Sequence, residues 1–473
     1  MSRDTKASLW FVIASVLQKG MVFIATPFYT RLLTTEQYGL FSTYNSWLSI
    51  ITIFATLNLS MAVMNNLLVK SENYRSNHEQ ILSSLQFLEI LLVLFVSGVF
   101  LLLNFIFPQL FKLDFRIGLM LCINIFLSSA VSLWTTKEKY DYNYIPVVIV
   151  SILVSAFTIA FNLIFIFFLE DKTYSLIYGT VVAMAIFYLP LMVRNLFVGR
   201  KLINLKVWAY ALAFNLPLIP HYLSMVVLGS SDRIMIERMV SEEAVALYSI
   251  PYSIALLACI FTNAINASLV PTIYNGLKEN NIKGLDKKIN IILAIFAIIV
   301  FSIMIIGPEA VLVLGGSNYL ESKWVIPAVS ASMFFMFLYP LFGNIEFYYE
   351  KKWITMTCSI VAAVSNIGLN FIFIPLFGYV AAAFTTLACY MLMAFVHFCF
   401  YKHLCKTLGL KKVYDDKSLL IASISILVLM GLSYLLYLND IVRYIAIGLL
   451  LILVLVFLKK IILFFKTTFI NNN

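Results

Sequence analysis

An all-α polytopic membrane protein is the fold class this sequence predicts, built as two six-helix lobes followed by two further helices. Three observations carry that expectation. Of 473 residues, 62% are hydrophobic and 12% charged, where a soluble domain carries roughly 25% charged; the mean hydropathy is +0.95. The apolar residues recur in runs of about 20, the length that crosses a bilayer core of about 30 Å. Lys and Arg are dense in every second break between those runs, the bias that orients membrane helices. Soluble enzymes, secreted domains and disordered chains are excluded together, because one soluble core cannot hide so large an apolar surplus.

About fourteen spans follow when apolar runs are read against charged breaks. In order they are 7–30, 39–69, 79–107, 116–135, 144–169, 174–197, 207–230, 243–274, 288–313, 324–347, 353–376, 379–401, 418–438 and 441–465. The first carries Lys19 midway, has no small-residue cleavage site and runs into another span, so it reads as a helix rather than a signal peptide. The side holding both termini has 24 Lys and Arg residues and the opposite side 8, with Lys19 inside a span. That bias places both termini in the cytoplasm and favours an even number of spans. The net charge of +10 is thereby explained by loops, and no nucleic-acid partner is expected. The six cysteines form no CxxC and sit in or beside apolar runs, so no disulfide framework or redox motif is expected.

The chain also repeats itself. Arg31, Thr34, Glu36, Gly39, Leu40, Phe41 and Ser42 align without a gap with Arg238, Ser241, Glu243, Ala246, Leu247, Tyr248 and Ser249, at an offset of 207. Asn162 and its apolar neighbours align with Asn370 at an offset of 208. Thr34 and Ser241 are suited to cap a helix, with Glu36 and Glu243 in the first turn against the helix dipole. The duplication divides the chain into lobes at 1–205 and 206–410, with 411–473 as two added helices. An even number of helices per lobe gives parallel repeats about the membrane normal, an arrangement in which transporters place their site between the halves.

Polar stripes mark the helices that could line such a site, since lipid-facing helices should be uniformly apolar. Ser8, Ser15, Lys19, Thr26 and Thr30 share one face of the first span, and Ser42, Asn45, Ser49, Thr52, Thr56 and Ser60 share one face of the second. In the second lobe the equivalents are Asn215 and Tyr222 leading to Arg233, then Ser249, Tyr252, Asn263 and Asn266. Small hydroxyl residues also serve close helix packing, which does not account for Lys19. A lysine at mid-helix costs on the order of 2.5–3.5 kcal/mol on insertion scales; it must face water, an anion, or a buried partner, for which Glu89 is the candidate. Arg31, Asp232, Arg233 and Arg238 form either a basic rim for an anionic ligand or ordinary interfacial anchors. Pro217, Pro220 and Pro251 predict kinks in the seventh and eighth spans.

No GxxxxGK[ST] motif is present, so no P-loop is available for ATP. His397, Cys399, His403 and Cys405 do not read as a metal set, because His397 and His403 lie about 240° apart on a helix. No nucleophile–base constellation stands out.

The order of three segments resembles the polysaccharide-unit flippases (Wzx type). They are Arg31 to Gly39 with Thr34, Glu36 and Tyr38; Ser231-Asp232-Arg233 followed by Ala246-Leu247-Tyr248-Ser249; and Leu369-Asn370 through Pro375, Gly378 and Tyr379 to Ala383. Ala246 stands where that family more usually has glycine. The resemblance implies the multidrug/oligosaccharidyl-lipid/polysaccharide exporter superfamily, with a central cavity lined by spans 1, 2, 7 and 8. It implies alternating-access transfer of an undecaprenyl-diphosphate-linked oligosaccharide, O-antigen or a related repeat unit, across the inner membrane. Lys19, Arg31, Asn45, Thr52, Asp232, Arg233, Asn263 and Asn266 would face that substrate. No cofactor is implied; a proton or sodium gradient would supply the energy, with Glu89 or Asp232 carrying the ion. Membrane lipids, a polysaccharide polymerase and chain-length machinery are the implied partners. Drug or cation export by the same superfamily, and a polytopic polymerase or ligase, are the alternatives.

Overall fold

A computed structural model of the chain describes residues 3–70, 75–279, 284–410 and 412–465. Helices account for nearly all of them, because within a bilayer only a helix or a closed barrel satisfies every backbone polar group internally. They are α1 (Arg3–Leu32), α2 (Thr35–Thr56), α3 (Arg75–Ile106), α4 (Phe115–Tyr140), α5 (Tyr144–Phe168) and α6 (Ser175–Val198). Next come α7 (Leu205–Asn215 and Ile219–Met239), α8 (Glu242–Ala255 and Ala258–Lys278), α9 (Leu285–Gly315) and α10 (Ile326–Tyr348). The last four are α11 (Lys352–Phe377), α12 (Val380–Thr407), α13 (Asp416–Leu436) and α14 (Asp440–Phe465). Each of the fourteen expected spans falls on one of them. Among the described residues twelve, α3 to α14, are long and apolar enough to cross a membrane; the first two, α1 and α2, are the ones with the long polar stripes.

Three expected spans are interrupted. The second ends as a helix at Thr56, where Leu57 and Asn58 take positive φ of 47° and 54°, and resumes in a short helix, Ala62–Lys70. The freed Leu57 carbonyl accepts a hydrogen bond from Asn215 Nδ2 at 2.9 Å, so Asn215 is fully buried as a backbone cap rather than part of an open stripe. α7 passes through a 3-10 turn at Leu216–Leu218 around Pro217, and α8 breaks after Ala255, four residues beyond Pro251. At Pro217 the missing N–H interrupts the ladder, whereas the first part of α8 runs helical through Pro251 as far as Ala255.

The residues divide into two compact units, Met1–Ala246 and Leu247–Asn473, so α7 packs with the first six spans. In the first unit α1 packs along α5, α5 along α6, and α3 against α4 and α6. Gly179 of α6 permits a close approach of α5: a Cβ there would overlap Asn162 Oδ1 and lie 2.6 Å from its backbone nitrogen. Asn162 in turn donates to Tyr29 Oη of α1 at 3.2 Å, which ties three helices at one buried point. At one end of α3, α4 and α6 a charge network closes the bundle. Lys137, 5% exposed, meets Glu79 at 2.6 Å, Glu138 at 3.2 Å and Asp141 at 3.2 Å. His78 meets Asp141 at 2.8 Å and Arg194 meets Glu79 at 3.4 Å.

The second unit is centred on α10, which packs on α12 and α9 and buries Phe334, Phe337 and Leu341. Beneath the α10–α11 turn Glu346 and His397 form a fully buried pair, with Nδ1 2.9 Å from Oε1, and Thr355 Oγ1 donates to Glu346 Oε2 at 2.9 Å. His397 is therefore committed to a carboxylate inside the bundle, away from the helix end where the sequence pattern places it. Among the described residues no cluster of three His, Cys, Asp or Glu side chains could hold a metal. Asp415 caps α13, and the hydrogen bond from Ser418 Oγ, then those from the Lys417 and Ser418 backbone, hold its carboxyl below the usual range. Arg443 of α14 grips Glu309 of α9 with two nitrogens at 2.7 and 2.8 Å, and Tyr437 at the end of α13 donates to the Met304 carbonyl. These contacts tether the two added helices to α9.

The duplication is visible in these details. Tyr142 and Glu350, 208 residues apart, both take positive φ, 56° and 58°. The residue after each donates to the main-chain oxygen of Glu138 or Glu346, again 208 apart and at 2.8 Å in both cases. Overpacking a tight helix contact costs about 1–3 kcal/mol. Gly179→Val is therefore expected to lower the thermal unfolding midpoint of the purified chain clearly below that of Gly98→Ala, whose added carbon meets nothing within 4 Å. Equal midpoints would show that α5 and α6 do not meet at Asn162.

Candidate functional site

The polar stripe of α2 is largely satisfied by its own backbone. Ser42, Ser46, Ser49, Thr52 and Thr56 each donate to the carbonyl four residues earlier, with Thr52 on Leu48 at 2.6 Å. Hydroxyls bonded in this way remain acceptors but have spent their donor. Asn45 and Thr52 are half-buried on that face. Thr26 and Thr30 of α1 back-bond similarly, to Val22 and Thr26. Hydroxyls at these spacings thus supply a mildly polar surface with little directional chemistry.

Lys19 behaves differently. It is exposed at the middle of α1, and among the described residues it forms no ion pair and no hydrogen bond. Glu89, its candidate partner, lies fully buried on α3. The two do not pair, because α1 packs on α5 whereas α3 packs on α4 and α6. Lys19 thus stands without a protein partner among the described residues, midway along the first span that the sequence predicts.

A second group gathers where the end of α1, the starts of α2 and α8 and the end of α7 meet. Arg31 is exposed and bonds the Pro27 carbonyl at 2.9 Å. Arg233 is half-buried, bonds the Gly229 carbonyl at 3.0 Å, and acts electrostatically on the buried Tyr38 hydroxyl of α2. Asp232 beside it is fully buried, so the adjacent residues Asp232 and Arg233 face different surroundings. Lys112 reaches Glu237 at 3.3 Å. Thr34 caps α2 in a full capping box with Gln37, and Thr35 Oγ1 lies 3.4 Å from Glu243 Oε1.

Gly39 sets the closeness of the α2 and α8 starts. A Cβ at Gly39 would overlap the Glu242 carbonyl oxygen and lie 3.4 Å from the Ala246 nitrogen. Gly39 and Ala246 are the two repeat-equivalent positions, so the small residue in each copy is what lets these helix ends touch. Asn263 is exposed and Asn266 half-buried on α8 in the second unit, and Asn266 Oδ1 has no hydrogen-bond partner among the described residues.

Sequence reasoning passed over two clusters that the structure brings together. One is the Lys137 network and the other the Glu346–His397–Thr355 group. Glu138 and Glu346 sit at the same 208-residue offset as Asn162 and Asn370, so the repeat itself carried the signal. A cysteine pair at positions 35 and 243 is expected to be bridged by a short thiol cross-linker, read as the loss of two accessible thiols. Adding Gly39→Val, which pushes α2 off the α8 start, is expected to prevent it; unaltered bridging would contradict the Gly39 contact.

Residues 5–276, more than half of the chain, match the family model described as polysaccharide biosynthesis protein. Lsg locus putative protein 1 of Haemophilus influenzae is 25% identical over 376 residues, covering 76% of this chain and 88% of that one. A second protein of the same organism, named uncharacterized membrane protein, is 24% identical over 375 residues, with coverage of 77% and 88%. Among solved structures, the lipid II flippase MurJ in an inward closed conformation superimposes with a TM-score of 0.71 at 14% identity, over 96% of this chain and 100% of that one. An inward-facing multidrug resistance MATE family transporter of the MOP superfamily gives 0.62 at 14% identity, over 85% and 99%. At those identities the likeness is one of fold. By the match of residues 5–276, this multi-pass membrane chain belongs to the polysaccharide biosynthesis protein family.

Proposed function

We propose that the chain is a flippase that moves an undecaprenyl-diphosphate-linked oligosaccharide, O-antigen or a related surface-polysaccharide repeat unit, across the bacterial cytoplasmic membrane by alternating access. The observation that carries this reading is Lys19, exposed at mid-helix with no protein partner among the described residues. A cation at that depth is tolerated where it meets water or an anion, and a diphosphate is the anion that a lipid-linked sugar donor brings into the membrane. Family membership supports the polysaccharide part of the reading. The likeness of fold to a lipid II flippase supports the lipid-linked part.

In this account Lys19 engages the diphosphate as a point charge, with Arg31 and Arg233 at the wider end of the path. Asn45, Thr52, Asn263 and Asn266 offer neutral polar contacts to the glycan, and the lipid tail stays in the bilayer. Both termini lie in the cytoplasm. With no P-loop, an ion gradient supplies the energy in this reading, with Glu89 or Asp232 as the carboxyl that carries the ion. A polymerase and chain-length machinery would take the product onward. The MATE likeness favours a second reading, export of cationic drugs, but a lysine on the path repels cations. The fold types matched are transporters, so we read the chain as a transporter rather than a polymerase or ligase.

The test is complementation of cells that lack their own oligosaccharide flippase but retain the matching sugar-synthesis genes. Wild type is expected to restore surface polysaccharide, and Lys19→Ala, at equal membrane abundance, to lose most of it. Restoration by both removes Lys19 from the path. No restoration by wild type, with the cognate lipid-linked unit present, overturns the flippase reading.

A further inference from the structure

Glu89 is the most anomalous side chain in the first unit. It stands midway along the apolar run of α3, has no exposed surface, and neither carboxylate oxygen has a hydrogen-bond partner among the described residues. On one side the buried cluster of Leu82, Leu85 and Leu88 packs with Leu133 and Trp134; on the other, Val93 opens the cluster of Phe100, Leu121 and Ile125. An ionised carboxylate left unpaired in such surroundings carries a desolvation cost that a neutral one escapes. A structural role would more economically be filled by an apolar residue, so the carboxyl calls for another explanation.

The groups packed around it narrow the ligand. One turn back on α3, Gln86 donates to Ser129 Oγ of α4 at 3.3 Å and accepts from Asn195 Nδ2 of α6 at 3.2 Å. Ser83, a turn further, donates to the Asn195 main-chain oxygen at 2.6 Å. Trp208 of α7 donates to Ser84. None of these is titratable. The titratable members of the neighbouring apolar cluster are Tyr44 of α2 and Cys122 of α4, and at the end of α3 itself the Lys137 network includes Glu79, about 15 Å along the helix from Glu89. Hard metal cations are held by several oxygen ligands, whereas Glu89 brings one carboxyl with no polar group bonded to it. A proton is the ion that a solitary carboxyl can bind.

We propose that Glu89 is a proton-binding site of the first unit, reached from the Lys137 end of the bundle along Ser83, Asn195, Gln86 and Ser129. Resting on the transport reading, this assigns the driving ion as a proton and separates Glu89 from Asp232. In the conformation seen here the carboxyl is closed off and holds its proton as the neutral acid. A rearrangement that admits water along the polar file releases that proton and leaves the carboxylate hydrated. Alternation between the two states couples proton movement to the rocking of the unit.

Infrared difference spectroscopy on the full chain in lipid vesicles, titrated between acid and alkaline pH, tests the site without any sugar substrate. Wild type is expected to show the C=O band of a protonated carboxyl at neutral pH, Glu89→Gln to lack it, and Glu89→Asp to shift it. The same variants in the complementation assay, with external pH varied, test the coupling. Export by wild type is expected to follow the imposed pH difference, and that dependence to be lost in Glu89→Gln. A band unchanged by both substitutions overturns the proposal even where wild type restores polysaccharide. So does a pH dependence in Glu89→Gln equal to that of wild type. A band that vanishes in Glu89→Gln while wild type exports nothing leaves the proton site standing and removes the flippase reading instead.

Discussion

The constraint on which this structure depends is that polar groups withdrawn from water must find a partner inside the protein. Most of the polar residues in the spans obey it locally. The α2 hydroxyls return to their own backbone, Asn215 caps the broken end of α2, and Asn162 ties α1 to α5. Charges obey it in groups: Lys137 gathers three carboxylates, and Glu346 takes both His397 and Thr355. Against that background Lys19 and Glu89 are exceptions of opposite kinds, one a cation at the surface of α1 and the other an acid within the bundle, each without a partner among the described residues. In the proposed flippase these two are the groups left available, because a group already satisfied by protein has nothing to offer cargo or ion.

The internal repeat explains how one frame came to carry two chemistries. Both copies keep the αL turn after the fourth and tenth spans, the glutamate just before it, and the buried asparagine of the fifth and eleventh. Only the partners differ. Glu138 is held by Lys137 and Asn143, and Glu346 by His397 and Thr355. Asn162 serves Tyr29 and Thr180, while Asn370 joins Asn366 and Thr385. Duplication thus conserves backbone geometry and leaves side-chain partners free to diverge.

Span order was legible because apolar runs of bilayer length leave few alternatives, although among the described residues twelve rather than fourteen are long and apolar enough to cross, and the interruption at Pro217 was legible because proline removes an N–H. The break at Leu57 was not: no proline or glycine marks it, and it depends on Asn215, 158 residues away. The Lys19–Glu89 pair was a reasonable expectation from charge alone, and failed because which helices are neighbours is a tertiary fact. Conversely, the polar stripe of α2 overstated the free polarity of its face, since sequence does not say that each hydroxyl bonds the preceding turn. The Glu138 and Glu346 equivalence was present in the offset and needed only a longer look along it.

As the flippase proposed above, the chain would carry a diphosphate-linked sugar between leaflets. The most direct measurement is leaflet exchange in vesicles containing the purified full chain and an undecaprenyl-diphosphate-linked oligosaccharide, with a membrane-impermeant glycosidase outside. The account predicts that digestion, confined to the outer leaflet's share in protein-free vesicles, extends to the whole pool when the chain is present. Digestion that stops at the same share in both would contradict it.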